Sequence, residues 1–310
     1  MPTFINMIRS SLLAAAILFL PAGAGDLSAQ DLSTYYTVTH PEEFDIDWGS
    51  FYREMDARTA VVRKQYPHHL DLAFGDDPKQ RLDLYLPRGD VSGAPVFLFL
   101  HGGGFREGDR AHYGGVAAPF LAEGIITAVA SYRLTADGFS YPAQTEDTRS
   151  AILWLHEHVA EYGGNPAALY LGGHSAGAIL TADVGVDRQW MAAAGIPGNA
   201  LQGIIPISGP YDLRNRGRAG ETDAYAPTAE LARQASPVLH VGDPAPAAIV
   251  AVGSLEAYQA SSQELTAKLA AAGSDASYLL LDGQDHKDTA LSLADPESEL
   301  FQAVLRLIRE

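Results

Sequence analysis

The residue that is best placed for chemistry in this sequence is a serine between two glycines. Ser175 stands at the centre of Gly173–Gly177 (GHSAG), which follows an apolar run, Ala168–Gly172, and precedes a run with helical character. A strand, a sharp turn and a helix in this order force the central residue into a strained conformation that exposes its hydroxyl, and the flanking glycines avoid clashes. The segment predicts a nucleophilic serine at a helix N-terminus; a glycine-rich loop that binds phosphate is the alternative.

A second group of glycines follows another apolar run. The sequence VFLFL leads directly into HGGGF, residues 101–105. Bare N–H groups in such a loop can stabilise the oxyanion of a tetrahedral intermediate. We expect the donors to be Gly103, with Gly104 as the next choice, and Ala176, which follows the serine. We interpret His101 as a structural residue that ties the loop to the sheet, and neither of the common nucleotide-binding glycine motifs is present.

A serine hydroxyl is a poor nucleophile until a base removes its proton. Among the ten histidines, His286 lies in a polar loop after the last apolar run and before the final helical segment, which makes it the expected base. A carboxylate should orient this base, and Glu256 is the first acid after the preceding run, AAIVAVG. Asp282 or Asp285 could substitute because each is close to the histidine, and an exposed acid at a helix start is the alternative interpretation of Glu256.

The elements that must position these residues alternate regularly along the chain. Helical apolar spacing occurs in Thr145–Tyr162, before Gly273 and after Pro296. The continuous apolar runs between such segments predict a largely parallel sheet that is covered on both faces, with the site at the carboxyl ends of its strands. The predicted strands are Arg81–Leu86, Val96–Leu100, Ile125–Ala130, Ala168–Gly172, Gly203–Ile207, Ala248–Val252 and Ser277–Leu281.

Composition narrows the classes of function. The chain has 310 residues, of which 47% are hydrophobic, and 21 Lys and Arg face 38 Asp and Glu for a net charge of −17. This balance disfavours nucleic acid as a partner, since phosphate binding needs clustered cations. The absence of cysteine excludes disulfides, thiolate catalysis and Cys-ligated metal sites. We interpret residues 80–310 as one α/β catalytic domain and residues 31–79 as an N-terminal extension that packs on it.

The first residues are predicted to be an export signal. Arg9 is the only charge before the apolar run Leu12–Leu20, and small residues follow as far as Gln30. A lone cation, a short apolar stretch and a small-residue exit are typical of a signal peptide, whereas a membrane span needs about 20 apolar residues. We therefore expect residues 1–30 to be a signal that is cleaved between Ala24 and Gln30. The mature protein would have no membrane anchor and would be periplasmic or secreted.

Taken together, these motifs resemble those of the α/β-hydrolase superfamily. Within it, the sequence is similar to the carboxylesterase branch that includes hormone-sensitive-lipase-like esterases, feruloyl-esterase-like enzymes and kynurenine formamidases. The resemblance spans about residues 80–309. It rests on the stretches HGGGFREGDRAHYG, SYRL, DTRSAILWL, GGHSAG and GQDHKDT.

The resemblance implies an α/β-hydrolase fold with a small cap or none. It also implies roles for four residues: Ser175 as nucleophile, His286 as base, Glu256 as acid and Gly103 in the oxyanion hole. Many relatives carry aspartate where this sequence has Glu256, so the longer side chain requires a slightly retracted backbone or another acid. Neither a metal nor an organic cofactor is predicted.

The predicted activity is hydrolysis of small or aromatic carboxylic esters through an acyl-enzyme intermediate, with a small-molecule ester as the partner. An exported enzyme meets environmental esters, whereas kynurenine formamidases act inside cells. An arylformamidase or small-amide hydrolase is the first alternative, and a catalytically inactive hydrolase-fold binding protein is the second. Several aromatic residues are candidate walls of the substrate site, although core packing is the more common role. They are Phe105, Tyr113, Tyr132, Phe139 and Tyr141, together with the segment Tyr211–Ser236.

Overall fold

The computed structural model describes residues 47–214 and 224–310. Their centre is an eight-stranded sheet with the order β1-β2-β4-β3-β5-β6-β7-β8. The strands are β1 His68–Ala73, β2 Arg81–Tyr85, β3 Ala94–Leu100, β4 Ile126–Ala130, β5 Gly164–His174, β6 Leu201–Ile207, β7 Ala247–Gly253 and β8 Ala276–Leu281.

The pairing of the strands confirms the predicted sheet. Strands β4, β3, β5, β6, β7 and β8 run parallel, and only the β1–β2 and β2–β4 pairs are antiparallel. All seven predicted strands are present. The additional strand, β1, has the sequence HHLDLA and lies at the edge of the sheet, where most of its side chains are at least partly exposed. It therefore lacks the apolar run by which the buried strands are recognised.

Helices cover both faces of the sheet, as predicted. Helix α4 and the 3-10 turn at 159–162 together match the predicted segment Thr145–Tyr162, and α8 ends just before Gly273, whose φ of +91° suits a helix stop. The helices are α1 Trp48–Gln65, α2 Arg110–Tyr113, α3 Ala117–Ala122, α4 Ala143–His158, α5 Ala176–Val186, α6 Gln189–Ala193, α7 Ala229–Gln234, α8 Gln259–Ala271, α9 His286–Ser292 and α10 Glu299–Arg309.

Strand β3 shows why the apolar runs are continuous. Successive side chains of a strand point to opposite faces of the sheet. Val96, Leu98 and Leu100 accordingly pack into the core beneath α4, α5 and α8. Phe97 and Phe99 pack into the other core, with α1, α3 and α10. Since both faces are buried, every position of the strand must be apolar.

Helix α1, the longest of the described helices, packs against residues 112–115, which follow the glycine loop of residues 101–105. The hydroxyl of Thr59 donates to the carbonyl oxygen of His112 over 2.9 Å and accepts from the N–H of Gly115 over 2.9 Å. A Cβ atom on Gly115 would lie only 2.7 Å from the Cβ of Arg58, so glycine permits the close approach. The buried face of the helix consists of Phe51, Met55, Thr59 and Val62.

Several predictions concern residues outside the described part of the chain. The signal peptide of residues 1–30 lies there entirely, and export stays a prediction. The division into residues 31–79 and 80–310 also stays a prediction, since residues 31–46 and 215–223 lie outside the described part. Over residues 47–214 and 224–310, no helix is both long and apolar enough to cross a bilayer.

The close packing of α1 predicts a stability effect. Replacing Gly115 with alanine would force the added methyl group against Arg58, and such overpacking destabilises proteins by about 1–3 kcal/mol. We expect a fall of this size in the free energy of unfolding of Gly115→Ala, measured by urea denaturation. Gly242→Ala is the matched control, because a Cβ there meets no atom within 4 Å. Equal stability of the two variants would contradict this account of the packing.

Candidate active site

The turn around Ser175 has the strained geometry that its sequence predicts. Ser175 has φ +57° and ψ −115° and precedes the first residue of α5 without capping the helix through its side chain. A Cβ on Gly173 would lie 2.3 Å from the carbonyl oxygen of Gly177. A Cβ on Gly177 would lie 2.3 Å from the carbonyl oxygen of Leu100. Only glycine fits at both positions, so the tight turn that raises Ser175 depends on both.

The glycine loop after β3 approaches this turn closely. A Cβ on Gly102 would lie 3.1 Å from the Cβ of Ser175. Gly103 has φ +116°, and its carbonyl oxygen accepts hydrogen bonds from the N–H groups of two residues that follow in the loop. Gly104 has φ +58° and borders open space. Ala176 is the first residue of α5, and N–H groups in the first turn of a helix have no partner inside it.

His101 occupies a position in the core beneath this loop. Its ring is buried and stacks on Tyr132, with the ring centroids 4.4 Å apart, and its Nδ1 lies 2.7 Å from the carbonyl oxygen of Gly102. The hydroxyl of Tyr132 donates to the carbonyl oxygen of His101 over 2.8 Å. Burial lowers the pKa of His101 to about 4. A buried, neutral ring that stacks on Tyr132 and contacts the backbone of Gly102 is consistent with a structural residue.

The structure brings His286 and Glu256 into direct contact. Nδ1 of His286 lies 2.8 Å from Oε2 of Glu256, which is only 1% exposed. The other carboxylate oxygen, Oε1, accepts from the N–H of Gly253 over 2.9 Å and from the hydroxyl of Ser208 over 2.6 Å. Three donors therefore surround one buried carboxylate. The carboxylate contact fixes the orientation of the His286 ring through its Nδ1.

The two alternative acids are engaged elsewhere. Asp282 is exposed, and its carboxylate accepts from the hydroxyl of Ser254 over 3.3 Å. Asp285 caps α9, where its carboxylate accepts from the N–H groups of Lys287 and Asp288 at 2.9 and 2.8 Å. Of the three candidate acids, Glu256 is the one whose carboxylate contacts His286.

His286 also lies beside the turn that carries Ser175. The ring of His174, the residue before the serine, has its centroid 4.5 Å from that of His286. Burial lowers the pKa of His174 well below its usual value, and the neighbouring imidazole of His286 lowers it further. The Nε2 of His174 lies 3.4 Å from the hydroxyl of Thr289. His174 is therefore neutral, and its ring packs against that of His286.

Two polar residues of this network were not predicted from the sequence. The hydroxyl of Ser208, immediately after β6, lies 2.9 Å from the hydroxyl of Thr289 on α9. Ser208 has φ +58°, an unusual value for a residue other than glycine. Its position after a parallel strand is the same signal that identifies Ser175, and applying that rule to β6 would have found it. Thr289 carries no such signal, because it lies within a helix.

Three of the five aromatic candidates are buried in the core, and the other two are partly exposed. Phe105, Tyr113 and Tyr132 are buried, whereas Tyr141 is half-buried, and Phe139 lies under the guanidinium of Arg133. In the segment Tyr211–Ser236, Tyr225 stacks on Phe105 with ring centroids 3.7 Å apart. Within the described ranges, no group of three or more His, Asp or Glu side chains is arranged to hold a metal ion.

The sequence of this chain is similar to those of known hydrolases. A family model described as BD-FAE matches residues 82–269. Esterase LipC of Mycobacterium tuberculosis is 27% identical over 290 residues, which cover 83% of this chain and 71% of LipC. The kynurenine formamidase of Danio rerio is 25% identical, with coverage of 77% of this chain and 81% of that protein.

A plant relative is longer than this chain. Isoprenylcysteine alpha-carbonyl methylesterase ICME of Arabidopsis thaliana is 29% identical over 268 residues, which are 76% of this chain but only 61% of the plant protein. The aligned part therefore represents about three fifths of that relative.

Solved structures share the fold. Esterase B from Lactobacillus rhamnosis has a TM-score of 0.69 at 19% identity, over 84% of this chain and 90% of that chain. EstE1, a thermophilic carboxylesterase cloned from a metagenomic library, has a TM-score of 0.64 at 19% identity, over 85% of this chain and 96% of that chain. Because the family model covers more than half of the chain and the fold agrees, the chain belongs to the BD-FAE family and is an α/β-hydrolase of the carboxylesterase branch.

Proposed function

We propose that this protein hydrolyses small or aromatic carboxylic esters through an acyl-enzyme on Ser175, with His286 as the base and Glu256 as its orienting acid. The observation that carries the proposal is the buried contact between Nδ1 of His286 and Oε2 of Glu256, beside a serine in a strained turn. A carboxylate that accepts from one ring nitrogen fixes the tautomer in which the other nitrogen can accept the serine proton.

In the first half of the reaction, Oγ of Ser175 attacks the ester carbonyl carbon as its proton passes to Nε2 of His286. The carbonyl oxygen gains negative charge and is stabilised by the N–H groups of Gly103 and Ala176, with Gly104 as a further candidate. One such donor contributes about 3–4 kcal/mol in related enzymes. The tetrahedral intermediate then collapses, and the bond to the alcohol oxygen breaks as His286 returns the proton to it.

In the second half, water replaces the alcohol. His286 accepts a proton from this water as its oxygen attacks the acyl carbon, and a second tetrahedral intermediate forms over the same donors. Collapse of this intermediate releases the carboxylic acid and returns the proton to Oγ of Ser175. Glu256 stabilises the imidazolium at each stage without itself taking the proton.

A formamide hydrolase is the second candidate. The similarity to the kynurenine formamidase of Danio rerio favours it, since the match covers 77% of this chain. The same groups would act, with an aryl amine in place of the alcohol as the group that His286 protonates. The similarity to esterase LipC and to the plant methylesterase ICME favours the ester.

The proposal predicts loss of activity on removal of one oxygen atom. Ser175→Ala should lower the kcat for p-nitrophenyl acetate by about 10⁴-fold or more, because no other group can form the acyl-enzyme. Ser277→Ala is the control, since that hydroxyl lies on β8 and makes only a long 3.4 Å contact to a backbone carbonyl. Wild-type protein, but not Ser175→Ala, should be labelled by an organophosphonate.

The substrate screen separates the candidates. It compares p-nitrophenyl esters of graded acyl length, methyl ferulate and N-formylkynurenine, with Ser175→Ala as the blank. A preference for the formamide would replace the ester proposal with the second candidate. Absence of turnover and of organophosphonate labelling would favour an inactive hydrolase fold that serves in binding.

Ser208 is predicted to act as a positioning residue. Its hydroxyl donates to Oε1 of Glu256, and hydrogen bonds to a charged group contribute about 1.5–3 kcal/mol. Ser208→Ala should lower kcat about tenfold and leave KM within about twofold, because the carboxylate holds His286 less firmly while the substrate pocket is unchanged. The control is again Ser277→Ala. An equal loss in kcat and binding, or no loss, would contradict this role.

The pH profile should reflect one protonation. His286 must be neutral to act as base, so kcat/KM falls as pH decreases, whereas burial keeps His174 neutral. We expect log kcat/KM to fall with a limiting slope of one.

Burial raises the pKa of Asp183 to about 6, but this residue lies within α5 and binds the hydroxyl of Thr145. Asp183→Asn should therefore leave the pH profile of kcat/KM unchanged. In wild-type protein, a limiting slope of two in log kcat/KM would show that His174 also titrates.

A further inference from the structure

We propose that Trp48, the first residue of α1, determines specificity on the leaving-group side of the ester and that the enzyme prefers esters of aromatic alcohols. This inference rests on the proposed function, since it assumes that His286 protonates the leaving alcohol. Neither the motifs of the sequence nor the BD-FAE match over residues 82–269 includes this tryptophan.

The first observation is the position of the indole. The ring centroids of Trp48 and His286 are 6.2 Å apart, and the two rings are nearly perpendicular, at 86°. Trp48 is 38% exposed, although a large apolar side chain would ordinarily be more buried. An accessible aromatic surface therefore lies against the side chain that transfers the proton.

The second observation is the direction of the base. Glu256 binds Nδ1 of His286, so the proton reaches the leaving oxygen from Nε2. That oxygen must come within about 3 Å of Nε2. The carbon atoms of the alcohol then lie one or two bonds farther on, among the residues that pack around the imidazole. Apart from His174 of the serine turn, the rings that pack around the imidazole are those of Trp48 and Tyr258, with centroids 6.2 and 5.5 Å from that of His286.

The third observation is that the indole is held in place. It packs edge-to-face on Phe51, with ring centroids 5.4 Å apart, and Phe51 is buried against Tyr113 at 6.0 Å. Tyr113 in turn lies 5.9 Å from the ring of His101, at the base of the oxyanion loop. A line of aromatic rings thus connects the indole to the glycine loop.

A hydrogen bond fixes the same helix relative to the base. The guanidinium of Arg58 donates to the carbonyl oxygen of Ala294 over 3.3 Å, and Ala294 follows the helix that begins with His286. Helix α1 is therefore attached near the base and near the oxyanion loop. A ring held in this way loses little freedom when a substrate packs on it, and preorganised contacts contribute more to binding.

The chemistry of an indole selects the class of alcohol. Aromatic rings pair edge-to-face or in offset stacks, with a gain beyond that of simple burial. A benzyl or phenyl group on the alcohol can make this contact, whereas a methyl or ethyl group is too small to cover the ring. Preference for an aromatic acyl group would not result from this contact, since the acyl carbon is bonded to Ser175 and its oxygen faces the glycine loop.

The test compares three esters with wild-type protein and Trp48→Ala. Benzyl acetate carries the aromatic ring on the alcohol, ethyl benzoate carries it on the acid, and ethyl acetate has none. We expect Trp48→Ala to lower kcat/KM for benzyl acetate about fivefold to tenfold and to change the other two less than twofold. Trp48→Phe should retain at least half of the wild-type value for benzyl acetate, because an aromatic ring remains.

Val61→Ala is the matched control. Val61 is an exposed apolar residue of the same helix, at 52% exposure, and this substitution should change none of the three rates. An equal effect of Trp48→Ala on all three esters would overturn the inference and indicate a structural role. A larger effect on ethyl benzoate would overturn it by placing Trp48 on the acyl side.

Failure of the proposed function would have a different signature. If Ser175→Ala retained wild-type turnover, or if wild-type protein hydrolysed none of the three esters, the ester mechanism would be wrong and the inference would fall with it. If wild-type turnover depends on Ser175 but the Trp48 variants show no selectivity between benzyl and ethyl acetate, only the inference is wrong.

Discussion

The structure of the site depends on the burial of one carboxylate. A charge in a protein interior is strongly unfavourable unless hydrogen bonds replace its hydration. Glu256 meets this requirement through the N–H of Gly253, the hydroxyl of Ser208 and the ring of His286. These donors come from the ends of β7 and β6 and from the start of α9, so the carboxylate joins three separate segments. Any arrangement that left the carboxylate of Glu256 unpaired would be disfavoured. The ring of His286 is therefore held in one orientation.

A second constraint acts on the nucleophile. The turn at Ser175 and the glycine loop approach closely: a Cβ on Gly102 would lie 3.1 Å from the Cβ of Ser175, and one on Gly177 would lie 2.3 Å from the carbonyl oxygen of Leu100. Backbone strain of this kind is stable only when the surroundings determine it fully, which the buried parallel strands β3 and β5 do. The shared register of these strands brings their carboxyl ends to the same edge of the sheet. The parallel sheet thus brings Ser175 and the glycine loop to the same edge.

The N-terminal helix adds what the sheet does not. Helix α1 lies outside the alternating strand and helix pattern, yet it packs on the segment after the oxyanion loop and places Trp48 beside His286. The residues proposed to be catalytic follow strand ends, where ligands bind in open α/β sheets. The helix adds the partly exposed ring of Trp48 next to His286. If the two proposals hold, reaction chemistry and substrate selection reside in different parts of the chain.

The sequence determined the class of fold, the expected nucleophile and the expected base, because these follow from local patterns. Apolar runs predict buried strands, and GHSAG between a strand and a helix predicts a serine turn. The edge strand β1 was not predicted, since exposure removes its apolar run. The sequence also left three acids open, and only the tertiary structure placed Glu256 rather than the two aspartates on His286. Thr289 and Trp48 likewise make contacts with residues distant along the chain. Such contacts depend on how the helices and strand ends pack, and no local spacing of residues encodes them.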